Sequence, residues 1–219
     1  MHTLHRLPYS PYARKVQRLL EVLKNPFRIV DVPYGDREKL ARLTGGYIYV
    51  PVLETDTGEV VTESRAICAW LLARTPNQLV PDGLEGPVWA YHDHVEGPIE
   101  DVLFRLAAPS VRDAWPTAWE RALYTLVKER RFGAGCVDAW RADRGGLLDR
   151  AREALAPTRR TLQRHPFVFG DQLTLADLAL YGQWMMLETA EPGVLAALGP
   201  EFVAHAKGVD DHPAESPIG

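Results

Sequence analysis

Tyr47-Ile48-Tyr49-Val50-Pro51-Val52-Leu53-Glu54 has the β-branched and aromatic content of a strand, yet a proline stands inside it. Proline has no N–H to give a sheet ladder, so it belongs at a sheet edge or where the backbone is special. A cis Val50–Pro51 bond is one account. It would turn the Val50 N–H and C=O outward, to pair with an extended peptide as a neighbouring strand does. A trans proline on an edge strand is the other account, and composition alone favours it. Downstream, Asp56-Thr57-Gly58 reads as a turn and Glu59 to Thr62 as a further strand, so the pair is a hairpin. Ser64 to Arg74 then reads as a helix with Ala66, Ile67, Trp70 and Leu71 on one face.

Upstream, residues 3–7 read as a strand. Ser10-Pro11 has the chemistry of a helix start, with Ser at the N-cap and Pro at the first helical position. Tyr12, Val16, Leu19, Leu20 and Leu23 follow at helical spacing, and Asn25-Pro26 ends the run. Phe27 to Val32 reads as a strand. Asp36 to Leu43 reads as a short helix closed by Gly45-Gly46. The order is β-α-β-α-β-β-α within residues 1–76, a small α/β domain.

Thr75 to Pro87 is polar and rich in Pro and Gly, which places a linker at 77–87. Residues 88–207 carry helical patterns only. Val88 to Val111 has a kink expected at Gly97-Pro98. Ala118 to Arg131 is another helix, and Asp138 to Arg164 a third, bent at Gly145-Gly146 and Pro157. Leu175 to Glu191 and Val194 to Ala206 complete the set. The polar stretch 208–219, with two prolines, is expected to be a loose tail. The fold class is therefore α/β followed by all-α.

The chain has 219 residues and 46% hydrophobic content, ordinary for a globular protein. No apolar run approaches the ~20 residues a bilayer span needs. The N-terminus lacks the apolar core of a secretory signal, so the expected location is cytoplasmic and no membrane partner is expected. Net charge is −4, which argues against a strongly basic nucleic-acid binder. Residues 1–76 nevertheless carry a net +3, which suits a small anionic ligand there. Two cysteines make neither a disulfide framework nor a four-ligand zinc site.

Three fragments follow one another: Ser10-Pro11-Tyr12-Ala13-Arg14-Lys15-Val16, Val50-Pro51-Val52-Leu53 and Glu63-Ser64-Arg65-Ala66-Ile67. Together they resemble the N-terminal domain of the cytosolic glutathione transferases, a thioredoxin-like fold. Gly170-Asp171-Gln172-Leu173-Thr174-Leu175-Ala176-Asp177 resembles the helix-start motif of the same family's helical domain. The resemblance spans nearly the whole chain, and its Ser-Pro-aromatic form is similar to the serine type of bacterial-like members.

That resemblance implies an enzyme that binds glutathione as co-substrate, without a metal, and directs its thiolate at a small hydrophobic electrophile. A role in detoxification and a homodimer come with it. Alternatives within the same likeness are a specialised glutathione-dependent lyase, isomerase or peroxidase, and a non-catalytic protein-binding relative. Ser10 is the implied thiolate-stabilising residue, with Tyr9 and Tyr12 as rival hydroxyls. A thiol of pKa near 8.5 is about 3% ionised at pH 7, and lowering it two units takes roughly 2.7 kcal/mol. A donated hydroxyl and a helix N-terminus both favour the anion. Glu63 and Ser64 are implied to hold the γ-glutamyl end, and Val50 beside Pro51 to grip the cysteinyl backbone. Many members carry Lys, Gln or Arg two residues before the proline, near the glycyl carboxylate; this chain has Tyr49, and Arg14, Arg37 and Lys39 are the substitutes in view.

Other signals read as structural. Thr174 is an expected N-cap and Asp177 its N3 partner, buried and bonded to backbone N–H groups. His92-Asp93-His94 with Glu96 brings at most two ligands together on a helix, too few for a metal. Phe132-Gly133-Ala134-Gly135 lacks the Lys-Ser/Thr of a phosphate loop. Cys68 and Cys136 are expected to be buried packing residues. Phe104, Trp115 and Trp119 are candidates to line the electrophile pocket.

Overall fold

The computed structural model describes residues 1–212. Four strands form one sheet in the order β2-β1-β3-β4. They are β1 (His2–Arg6), β2 (Phe27–Asp31), β3 (Val52–Glu54) and β4 (Val60–Thr62). β1 runs parallel to β2, with Leu4 opposite Ile29, through the crossover helix α1 (Pro11–Val22). β3 is antiparallel to both neighbours, pairing Leu53 with Leu4 on one side and with Val61 on the other. The side-chain period of two buries Leu4 and Leu53 together beneath α1 and α3 (Ser64–Leu72), beside Val16, Leu20, Ile67 and Leu71. The other face is closed by α2 (Glu38–Thr44), whose Leu40 packs with Val32 and Val52. Gly45 ends α2 at φ 72°, a left-handed cap that suits a residue without Cβ.

The first strand of the hairpin is shorter than the sequence suggests. Only Val52–Glu54 joins the ladder; Tyr47 to Pro51 stands outside it, and the Val50–Pro51 bond is cis. β3 is an interior strand, so the edge explanation of Pro51 is set aside.

The remaining described residues are helical apart from connections and one isolated bridge, Phe167 to Gly170. α4 (Glu85–His94) begins inside the stretch read as connector and runs through a π-helical turn, Val95–Ile99, into α5 (Glu100–Ala114). The kink at Gly97-Pro98 takes this form because Pro98 lacks the N–H of a regular turn. α6 (Ala118–Phe132) opens on a capping box between Thr117 and Glu120. The long helix expected over 138–164 is three: α7 (Cys136–Ala142), α8 (Arg144–Ala154) and α9 (Ala156–Leu162). The breaks fall at Asp143 and Leu155, not at the glycine pair, which lies inside the first turn of α8. α10 (Leu175–Ala190) is buried along most of its length. α11 (Val194–Leu198) and α12 (Pro200–Asp211) are separated at Gly199-Pro200. Residues 208–211 therefore belong to α12, with Val209 buried, and not to a tail; 213–219 lie outside the described residues. No helix among the described residues is long and apolar enough to cross a membrane.

Two large cores result. One gathers α5, α7, α8, α10 and α12 around Trp184 and Phe202. The other joins the sheet domain directly to α10 through Leu175, Leu178 and Tyr181. α10 approaches α1 so closely at Gly182 that a Cβ there would meet the Pro11 carbonyl oxygen at 2.3 Å. The helical part thus fixes the first turn of α1, where Ser10 stands.

Candidate functional site

Ser10 is the N-cap of α1, with Pro11 in the first turn. The preceding turn is closed by the Ser10 N–H donating to the Leu7 carbonyl at 3.0 Å. The Ala13 N–H donates to Ser10 Oγ at 3.3 Å, so the hydroxyl accepts from the helix and keeps its own proton to donate elsewhere. The rival hydroxyls are placed differently. Tyr12 donates to Glu100 Oε1 at 2.6 Å, and burial and that carboxylate push its ionisation far up. Burial also raises the Glu100 carboxyl to about 7. The Tyr9 ring packs edge-on against Trp115 at 5.5 Å.

Glu63 and Ser64 stand where β4 ends and α3 begins. Glu63 has φ 66° and ψ 123°, a costly conformation for a residue with a Cβ. It is exposed, and Tyr47 donates its hydroxyl to Glu63 Oε1 at 3.0 Å. Ser64 is buried, and behind it lies Lys15, a fully buried ammonium that sequence reading treated only as part of a motif. Lys15 Nζ donates to Ser64 Oγ at 3.2 Å, to His92 Nε2 at 2.7 Å and to Glu96 Oε1 at 2.5 Å. Burial and then the Lys15 charge hold the His92 pKa down, so a neutral ring accepts at Nε2 and donates from Nδ1 to Asp93 at 3.0 Å. The His92 and Glu96 side chains thus serve Lys15, and among the described residues no three His, Cys, Asp or Glu side chains form a metal-ligating group. The signal for Lys15 was its place at position 15 on the stripe that carries Leu19 and Val22.

Val50 is half-buried and precedes the cis bond; Tyr49 is 68% exposed and meets Tyr47 edge-on at 5.6 Å. The three cations considered as replacements at the Tyr49 position separate clearly. Arg14 is occupied by the Pro8 carbonyl and Thr189. Lys39 is exposed. Arg37 lies 5.4 Å from the Tyr34 ring centre and donates from Nε to the Tyr34 carbonyl at 3.2 Å. Its Nη1 is buried with no acceptor among the described residues, an incomplete arrangement that an anion would complete.

Aromatic side chains of the sheet domain and of the helices that follow it pack against one another. Trp115, 7% exposed, touches Tyr9 and also Tyr34 at 4.7 Å, and Tyr34 meets Tyr124 at 5.5 Å. Phe104 packs with Phe132 and Trp140. Trp119 is 64% exposed and leans on Gly35. Cys68 and Cys136 are both buried, and desolvation raises both thiols, Cys68 to about 11.

The family model described as glutathione S-transferase, N-terminal domain, matches residues 4–79, and that described as its C-terminal domain matches 115–213. No curated protein matches the sequence significantly. Among solved structures, the chain is similar to a glutathione S-transferase of Ceriporiopsis subvermispora in complex with glutathione. The TM-score is 0.82 at 15% identity, over 100% of this chain and 99% of that one. It is similar to a glutathione S-transferase of Rhodospirillum rubrum at TM-score 0.74 and 20% identity, over 98% and 90% of the two chains. It also resembles glutaredoxin 2 of Salmonella typhimurium in complex with glutathione, at 0.71 and 18%, over 97% and 96%. A thioredoxin-like sheet domain with a cis-proline just before its interior strand β3, the all-helical part that follows and the two family matches lead to one assignment: this chain belongs to the glutathione S-transferase family.

Proposed function

We propose that the protein is a glutathione transferase in which Ser10 holds the sulfur of bound glutathione as a thiolate for attack on an apolar electrophile. The observation that carries this reading is the Ser10 hydroxyl, anchored by the Ala13 N–H at the opening turn of α1 with its proton free. Donation of that proton and the positive end of the helix both favour the anion. Val50 would pair with the cysteinyl backbone, the Ser64 hydroxyl would take the γ-glutamyl carboxylate and the exposed Glu63 carboxylate its ammonium. Lys15 supports this by donating to Ser64 Oγ, which leaves the Ser64 proton for the ligand. Arg37 is the group we assign to the glycyl carboxylate, in place of a cation at Tyr49. A disulfide reductase using its own thiol is not favoured, because position 10 is serine and both cysteines are buried.

Calorimetric titration with glutathione, followed by turnover of 1-chloro-2,4-dinitrobenzene, tests the reading. Binding with turnover supports it, binding alone favours a specialised substrate, and neither favours a non-catalytic relative. Ser10→Ala should raise the pKa of the bound thiol by about one to two units, the worth of one hydrogen bond to a charged group. An unmoved pKa removes Ser10 from the role. Arg37→Met should raise the KM for glutathione about tenfold or more through loss of a charge-assisted bond, with the bound thiol pKa unchanged. Steady-state kinetics at varied glutathione checks it, and an unaltered KM refutes the assignment.

A further inference from the structure

Lys128 on α6 has an unusual setting. Its Nζ lies 4.8 Å from the ring centres of both Phe104 and Tyr124, over their faces. Among the described residues it makes no hydrogen bond or ion pair. Most long cations of this chain do otherwise: Arg112, Arg141, Arg144 and Arg159 each meet a carboxylate. A lone ammonium held by ring faces keeps its donors for something else.

Its position in the fold says what that is. From Tyr9, on one side of Ser10, ring contacts run through Trp115 and Tyr34 to Tyr124, on which Lys128 lies. From Lys128 they continue to Phe104, one helical turn from Glu100, which holds the hydroxyl of Tyr12 on the other side of Ser10. The circuit begins beside Ser10 and ends at the first turn of α1, and of the two cations that lie on its rings without a carboxylate, Arg37 is assigned above to the glycyl carboxylate, which leaves Lys128. Glu100 is already bonded to Tyr12 and Gln183, and burial raises its carboxyl to about 7. Burial lowers the Lys128 pKa to about 8, which still leaves it protonated at pH 6.5.

We propose that Lys128 determines specificity for the second substrate by binding an oxyanion, so that the preferred electrophile is an aromatic compound carrying a carboxylate. This rests on the transferase reading above. The half-buried Tyr9 and Tyr34 rings suit the aromatic body, and the ammonium suits the anionic group. The reaction stays a nucleophilic aromatic substitution. The thiol proton passes to solvent on ionisation, the sulfur forms a C–S bond, and chloride leaves with the electron pair of the broken C–Cl bond.

The test compares kcat/KM for 4-chloro-3,5-dinitrobenzoate and 1-chloro-2,4-dinitrobenzene at pH 6.5, each divided by its uncatalysed rate with glutathione. The carboxylate should be preferred, and Lys128→Met should lower the preference about tenfold or more. Lys128→Arg should retain it, because the charge remains. Lys128→Gln supplies the same reading should the methionine variant fold poorly. Calorimetry with the two preformed glutathione conjugates gives a second readout that needs no turnover, and the same loss of discrimination is expected. A preference unaltered within twofold in the methionine or glutamine variant, with glutathione still bound, overturns the role of Lys128. Failure of the native protein to bind glutathione or either conjugate defeats the transferase reading instead.

Discussion

Asp177→Ala should destabilise the protein by about 3–5 kcal/mol, well above the ~0.5–2 kcal/mol of an ordinary lost cap. Asp177 is fully buried at the start of α10 and satisfies several donors at once. The Thr174 N–H donates to Oδ2 at 2.9 Å and the Thr174 hydroxyl at 2.7 Å. The Val168 N–H, from the preceding loop, donates to Oδ1 at 2.7 Å. His205 on α12 lies 3.1 Å from the same oxygen. Trp184 donates to His205 Nδ1 at 3.1 Å, so the proton is on Nε2 and points at Asp177. Alanine would strand these donors away from water, where each costs about 1–3 kcal/mol. For a chain of this size each kcal/mol moves the melting temperature about 2–4 °C, so a fall of about 6–20 °C is expected in calorimetry. A melting temperature within about 2 °C of the native value would contradict the network.

Gly182→Ala should cost about 3 kcal/mol or more, the upper range for overpacking, because the obstacle is backbone. The added Cβ meets the Pro11 carbonyl oxygen at 2.3 Å and Lys15 Cβ at 3.3 Å, so α1 and α10 must separate. Pro11 follows Ser10, and Lys15 stands behind Ser64. The movement therefore reaches both ends of the site, and glutathione affinity should fall along with the melting temperature. Gly97→Ala is the matched control, since a Cβ there has nothing within 4 Å. Equal melting curves for the two variants would show that α1 and α10 are not held at that distance.

The parts legible in the sequence are those set by local chemistry. Ser10-Pro11 and Thr174 with Asp177 carry their helix starts in side-chain oxygens and a fixed φ, so both were readable without tertiary knowledge. Pro51 signalled an anomaly, but whether cis or edge depended on the sheet order, which no local rule gives. The segment 138–164 has helical periodicity throughout, and no local signal marks its breaks at Asp143 and Leu155. Val209 lengthens α12 because it docks in the core shared with α10, at a place where composition suggested a tail. Lys15 was hidden for the same reason: its partners Ser64, His92 and Glu96 lie 49 to 81 positions away. The Arg37 orphan nitrogen and the ring-held Lys128 are likewise tertiary facts, set by partners far away in the sequence.

The claim on which the functional account stands is that the chain binds glutathione with its sulfur ionised beside Ser10. Ultraviolet titration of the thiolate in the complex measures this directly. The bound thiol should titrate about two units below the ~8.5 of a free cysteine. A bound thiol that titrates at the free value, or no complex at millimolar glutathione, would contradict it.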